Sequence, residues 1–445
     1  MKILKTRIAI IWAFGYHVAG ASTPPIAVKG NAFFAGENRF YIRGLDYQPG
    51  GEGGLKDPLA DAAGCKRDIQ KFQQLGINTV RVYTVDNSAN HDDCMKQLAD
   101  AGIYLAVDVN SPKYSLNRQD RETMRRSYSD VYLQSVFATI DTFSKYDNLL
   151  AFFAANEVIT KTETWSAPYI KALIRDMKAY IAARKYRTIP VGYAATDVEE
   201  THYEIATYLN CGPDKVRTDF IGFNDYSWCG PQSFSASTWA GKVKLFNNYS
   251  APMFLSEYGC IKVQPRIFSD VAPLYSSDMT PVYSGGLVYE YSWEGFSKDF
   301  PGAGYGVVDI NGASVKARPD FAALQSAFNS TPMPSGNGGY KPENKASACP
   351  PEGANWQVNA SLPVIPQLAT KYMTQGAGHA PGLQSNPAGS QYQGSPSSSW
   401  APIEAAGESS ALSTPAKSAA SVLSPSSVSL IALWVGTFTC ILATY

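Results

Sequence analysis

The stretch "LLAFFAANEV", Leu149 to Val158, is a run of apolar residues that ends on an amide and a carboxylate. An apolar run of this length suits a strand buried on both faces. A buried, unpaired carboxylate costs several kcal/mol, roughly 2–7 even for a neutral polar group. Glu157 therefore either leaves the core at the strand end or has a chemical task there.

The same pattern recurs seven more times between residues 39 and 294, as "RFYIRGLDY", "NTVRVYTV", "IYLAVDVN", "RTIPVGYAA", "FIGFNDYSW", "PMFLSEYG" and "GLVYEYSWE". Helical periodicity fills several gaps. In "PYIKALIRDMKAYIAARK", Pro168 suits a first turn, and Ile170, Leu173, Ile174, Met177 and Ile181 form one stripe. "CKRDIQKFQQLG" and "DDCMKQLADAG" each run into glycine, a common helix stop. Eight β-then-α units predict an α/β fold of the (β/α)8, or TIM-barrel, type. A doubly wound open sheet is the competing arrangement, but no GxGxxG follows the first strand to support a dinucleotide version.

In a (β/α)8 barrel the active site lies at the C-terminal strand ends. Those ends carry Asp46 and Gln48, Arg81 and Tyr83, Asp108, Asn156 and Glu157, Tyr193 and Asp197, Asn224 to Tyr226, Glu257, then Tyr289, Tyr291 and Glu294. Carboxylates, amides and tyrosines without a matching set of His or Cys suit a sugar site. Cleaving a glycosidic bond takes two carboxyl groups on opposite sides of it. Strands four and seven face each other across the barrel mouth, which makes Glu157 and Glu257 the best-placed pair. Glu157 is expected to be the protonated acid, raised by burial among Phe152, Phe153 and a neighbouring carboxylate. Glu257 is then the nucleophile, and Asn156 the partner of the sugar 2-hydroxyl. Asp108, Asp225 and Glu294 compete for these roles or serve as ion partners.

Positive and negative residues balance, 38 against 38, so no charge excess points to nucleic acid. Residues 1–21 read as a secretory signal peptide. Residues 428–445 form an apolar tail with no basic residue after it, preceded by small residues around Ser418. That layout predicts a glycolipid (GPI) anchor attached at Ser418 with the tail removed; a plain C-terminal membrane helix is the alternative. Between these ends, residues 22–330 form the expected catalytic domain. Residues 331–427, rich in Pro, Gly, Ser, Ala and Gln, read as a disordered stalk whose start Cys349 pins to the barrel. Seven cysteines are present, one of them in the tail, and the remaining six suit three disulfides in an oxidising compartment, with fifteen pairings open. With no CxxC and only four His, no metal site and no cofactor is expected.

The motifs "FYIRGLDYQPGG", "INTVRVYTVD", "FFAANEV", "FNDYSWCG", "FLSEYGC" and "SGGLVYEYSWE" together resemble the fungal β-1,3-glucanosyltransferases of glycoside hydrolase family 72, over residues 25–330. The resemblance implies a retaining enzyme on a (β/α)8 barrel. Such an enzyme cuts a β-1,3-glucan internally and passes the new reducing end to the non-reducing end of another glucan, elongating the wall polymer. It implies Glu157 as acid/base and Glu257 as nucleophile. Tyr83, Asn156, Asp197 and Tyr289 then contact the donor sugar, with Gln48 and Tyr226 as further site members and His202 at a substrate-binding position. It also implies the disulfides Cys65–Cys94, Cys211–Cys349 and Cys229–Cys260. The implied partners are glucan donor and acceptor chains, and the membrane through the anchor, on the outer face of the plasma membrane or in the wall. Two departures stand out. Many members carry Arg where this chain has His202, five residues after Asp197, and the Cys-rich carbohydrate-binding module of some members has no counterpart here. Two other readings remain: an endo-β-1,3-glucanase on the same barrel, and a non-catalytic glucan-binding wall protein.

Overall fold

The computed structural model describes residues 23–383 and 391–405. The signal-peptide region 1–21, the anchor site at Ser418 and the tail 428–445 lie outside the described residues. Eight parallel strands close into a barrel: β1 (Ile42–Asp46), β2 (Thr79–Val82), β3 (Tyr104–Asp108), β4 (Leu149–Asn156), β5 (Val191–Thr196), β6 (Phe220–Asn224), β7 (Met253–Tyr258) and β8 (Tyr283–Val288). They follow the order of the runs read from the sequence; six lie inside their runs, β5 extends one residue beyond its run to Thr196, and β8 begins three residues before its run and ends at Val288, ahead of Tyr289. At Gly285, with φ +86°, a Cβ would lie 2.0 Å from the Ile42 carbonyl oxygen, so only glycine lets β8 close against β1.

The helices follow the periodicity. The first, α1 (Ala62–Leu75), ends on Gly76 in the left-handed region. It is followed by α2 (Asp92–Asp100), α3 (Arg121–Ser127), α4 (Asp130–Phe143), α5 (Ala167–Ala183), α6 (His202–Leu209), α7 (Thr238–Leu245), α8 (Val271–Leu274) and α9 (Pro319–Ser330). Pro168 sits in the first turn of α5, and its apolar stripe is buried.

Side chains fill the barrel rather than leaving a pore. A three-stranded antiparallel sheet, Ile26–Lys29, Ala32–Ala35 and Asn38–Phe40, precedes β1. It sends Phe33 against Phe220 and Phe254, both at 5.9 Å, and Phe153 completes the cluster at 5.2 Å from Phe220. Phe152, one residue earlier on β4, belongs to the separate core between strands and helices. Adjacent strand residues face opposite sides, so these two rings do not enclose Glu157 together.

The disordered-stalk expectation is corrected over residues 331–383 and 391–405. This segment runs along the barrel wall, pairing Ser361–Pro363 with Trp400–Pro402 and forming α10 (Thr370–Gln375). Its few apolar residues, including Trp356, Val358, Leu362 and Tyr372, join the barrel's own core. It needs no core of its own, because the barrel provides apolar surface and hydrogen-bond partners. The Tyr180 hydroxyl accepts from the Ala377 amide at 2.9 Å, and Asn87 Oδ1 from the Gly382 amide at 2.9 Å. Covered by strands inside and this segment outside, α5 buries even Lys171, whose Nζ donates to the carbonyls of Tyr208, Leu209 and Cys211. The disulfides are Cys65–Cys94, Cys211–Cys349 and Cys229–Cys260, the pairing the resemblance implies. Among the described residues, no helix is long and apolar enough to cross a membrane.

Candidate active site

Glu157 leaves the barrel wall by a backbone turn. Its φ is +53°, in the left-handed region that a residue with a Cβ seldom adopts. Hydrogen bonds hold it there: its amide donates to the Ala194 carbonyl at 2.9 Å, and its carbonyl accepts from Arg118 Nη1. The side chain thereby escapes the alternation of β4 and reaches the cleft.

Across the barrel, Glu257 on β7 takes three donors. Tyr83 Oη donates to Oε1 at 2.8 Å, Arg81 Nη1 to Oε1 at 3.3 Å, and Tyr226 Oη to Oε2 at 2.7 Å. A network joins the two glutamates. Arg81 Nη2 donates to Asn156 Oδ1 at 3.1 Å, which also accepts from Asn224 Nδ2 at 3.1 Å. The same Asn224 Nδ2 donates to Glu157 Oε1 at 2.8 Å, and Ser256 Oγ fixes Asn224 by donating to its Oδ1 at 2.8 Å.

Arg81 is the hub. It is fully buried, with its guanidinium 4.3 Å from the Phe153 ring and 4.2 Å from the Tyr83 ring. Asp108 holds it bidentately, at 2.9 Å to Nε and 3.2 Å to Nη2. Asp108 is thus the ion partner of Arg81, and it also lines the cleft. The other two competitors are likewise engaged. Asp225 accepts from Lys242 Nζ at 2.7 Å and from the Ser227 amide at 2.8 Å. Glu294 ties the loops after β1 and β8 by accepting from the Gly50 amide at 3.0 Å.

Burial was expected to raise Glu157, but the more deeply buried carboxyl is Glu257. Burial pushes Glu257 up to about 8; Arg81 pulls it down, Glu157 and Glu52 push it up, and the Tyr226 hydroxyl pulls it down. Asp46, at the end of β1, is raised well above the usual carboxylate range, first by burial. Both shifts have one leading cause, burial, which disfavours the charged form of a carboxyl.

The other residues divide clearly. Tyr83, Tyr226 and Tyr289 gather around Glu257, with the Tyr289 ring 6.4 Å from that of Tyr83 and 6.3 Å from that of Tyr226. Gln48 is 2 % exposed and its amide is engaged by backbone groups: its Oε1 accepts the Tyr83 and Thr84 amides at 3.1 and 3.0 Å, and its Nε2 donates to the Lys56 carbonyl. It positions Tyr83. Asp197 accepts from Lys242, which bridges it to Asp225. His202 is 6 % exposed, packed against Phe223 and Phe246, with Nδ1 3.5 Å from Asp197 Oδ1. It is buried beside Asp197. Sequence reading did not assign site roles to Arg81, Asn224, Lys242, Arg118 or Glu290. Arg81 had a signal, a charge within the apolar run "TVRVY"; Lys242 and Arg118, on a helix and a loop, had none.

The cleft beside Glu157 encloses about 470 Å³, and its wall includes Tyr83, Asn110, Ser115, Arg118 and Asn156.

A family model described as glucanosyltransferase matches residues 16–332. The chain is 56 % identical over 362 residues to the 1,3-beta-glucanosyltransferase gel1 of Aspergillus fumigatus, covering 81 % of this chain and 78 % of that protein. It is 50 % identical over 366 residues to the 1,3-beta-glucanosyltransferase GAS5 of Saccharomyces cerevisiae, covering 81 % and 74 %. Among solved structures, a mutant of Saccharomyces cerevisiae Gas2p in complex with laminaritetraose and laminaripentaose superimposes with a TM-score of 0.69 at 36 % identity. The match covers 78 % of this chain and 76 % of that one.

Proposed function

This chain belongs to glycoside hydrolase family 72, the glucanosyltransferases, and from that premise we propose how its residues carry out the transfer. The protein is a 1,3-β-glucanosyltransferase acting on β-1,3-glucan. The observation that carries the mechanism is the three-donor cradle on Glu257, joined through Arg81, Asn156 and Asn224 to Glu157.

In the first step a Glu257 oxygen attacks the anomeric carbon. The glycosidic bond breaks as Glu157 gives its proton to the leaving sugar oxygen, which departs as a hydroxyl. The product is a glycosyl ester on Glu257. In the second step Glu157, now a carboxylate, takes the proton from the 3-hydroxyl at the non-reducing end of an acceptor glucan. That oxygen attacks the same carbon and releases Glu257. Two inversions retain the β configuration, and the donor segment lengthens the acceptor. Asn156, its Oδ1 held by Arg81 and Asn224, keeps Nδ2 for the sugar 2-hydroxyl. Tyr289 and Tyr83 border the donor sugar, while Asp197 and His202 act from behind as part of the Lys242 ion cluster.

The polypeptide works outside the plasma membrane in this reading. Residues 1–21 direct export, the region near Ser418 receives the anchor, and 428–445 is removed. Three disulfides support an oxidising compartment. The test is product analysis with a reduced β-1,3-gluco-oligosaccharide, wild type beside Glu157→Gln and Glu257→Gln. Products longer than the substrate, lost in both variants, are expected. Only shorter products would make the enzyme a glucanase.

A further inference from the structure

The cleft wall beside Glu157 is formed in part by residues 111–120, between β3 and α3, which have no regular secondary structure. Ser115 and Leu116 line the cleft, and Arg118 reaches the Glu157 carbonyl. Such a segment lacks the ladder that fixes a strand, and its backbone groups need partners from elsewhere.

Ser111 and Tyr114 pair with each other and the Asn117 amide donates to Ser127 Oγ at 3.0 Å, but at Ser115 the partners come from the far end of the described chain. Gln391, 4 % exposed, meets both backbone groups of Ser115: its Oε1 accepts the Ser115 amide at 2.9 Å, and its Nε2 donates to the Ser115 carbonyl at 2.7 Å. One side-chain amide thus stands in for a neighbouring strand. Two residues on, Asn117 Nδ2 donates to the Tyr392 hydroxyl at 2.8 Å. The clamp is itself anchored on α4: Ser129 Oγ donates to the Gln391 carbonyl at 2.7 Å, and the Ser395 amide to Asp130 Oδ1 at 2.6 Å.

We propose that Gln391, with Tyr392, is a positioning residue for glucan binding: residues 391–395 clamp the 111–120 segment and so set the wall of the cleft beside Glu157. The segment that leads toward the C-terminus is then part of the working enzyme and not a spacer. Neither residue touches the reacting atoms; both act through Ser115 and Asn117. The functional half of this inference rests on the reading of the cleft as the glucan site. The clamp itself does not.

Releasing the clamp loosens a binding wall that serves ground state and transition state alike, so KM should rise while kcat changes little. The experiment compares full-length wild type, Gln391→Leu and Tyr392→Phe by transfer kinetics on a β-1,3-gluco-oligosaccharide and by amide hydrogen exchange. Expected are faster exchange at 115–118 with the barrel strands unchanged, and a KM raised roughly three- to tenfold for Gln391→Leu at a kcat within about twofold. Tyr392→Phe, which keeps its ring, should shift KM in the same direction by less. Unchanged exchange at 115–118, or faster exchange with wild-type KM, overturns the proposal. If Gln391→Leu fails to fold, Tyr392→Phe decides, and a wild-type KM in that variant overturns it. A wild type without glucan turnover would instead refute the assignment of the cleft, while the exchange comparison would still report whether the clamp exists.

Discussion

Replacing Tyr226 with phenylalanine removes one oxygen and keeps the ring between Tyr289 and Tyr305. That oxygen is the donor to Glu257 Oε2, at 2.7 Å, whereas Oε1 keeps Tyr83 and Arg81. A hydrogen bond to a charged acceptor contributes about 1.5–3 kcal/mol and one to a neutral acceptor about 0.5–1.5. The phenol therefore favours ionised over protonated Glu257 by about 1.25 kcal/mol, the difference between the middles of those ranges and roughly eightfold in the ionisation equilibrium. Burial already pushes this carboxyl up to about 8, and the Tyr226 bond is one of the contacts opposing it. Without that bond Glu257 holds its proton to higher pH, and a protonated carboxyl cannot attack the anomeric carbon. The acidic limb of kcat/KM should move up by about one pH unit, so that at a fixed pH on that limb the rate falls about eightfold. The assay is transfer to a gluco-oligosaccharide acceptor, followed chromatographically from roughly pH 5 to 10, a range that brackets the raised Glu257 value and its expected shift. An acidic limb that stays in place in Tyr226→Phe would refute the electrostatic account of the cradle.

Arg81→Met should destabilise the fold by about 3–5 kcal/mol in denaturant titrations, because the buried Asp108 loses its bidentate partner; a loss below about 1 kcal/mol would mean Asp108 simply protonates. Stability should also depend on pH through Glu257 and Glu290, both pushed up to about 8, first by burial. The folded state binds these protons more tightly than the unfolded chain, so their stabilising contribution is complete below about pH 4.5 and is lost as pH rises toward 8. Glu290→Gln should flatten the decline in melting temperature over that window, and an unchanged slope would remove Glu290 from the account.

The barrel was legible because its signal is local and repeated. Eight apolar runs separated by helical stripes leave few arrangements in which every strand is buried on both faces, and the strand ends then bring Glu157 and Glu257 to one mouth. The pair was legible for the same reason, since a carboxylate closing an apolar run has nowhere to go but the strand end. The proton distribution was not. It depends on which carboxyl the fold buries and on what stands beside it, and Phe152 and Phe153 proved to face opposite cores. The packing of Gln48 onto the Tyr83 backbone and of His202 between Phe223 and Phe246 was not legible either.

The segment after residue 330 marks the boundary most sharply. Its composition says that it has too little apolar surface to fold alone. Whether it is ordered depended instead on an external surface, the flank of α4 and α5, that no local pattern in 331–405 describes. Strand and helix periodicity are properties of neighbours in the chain, so the sequence by itself determined the barrel and the meeting of Glu157 and Glu257 at its mouth. The Arg81 hub, the burial of Glu257 and the Gln391 clamp on Ser115 join residues tens to hundreds of positions apart. Only the closed tertiary structure brings those groups within hydrogen-bond range.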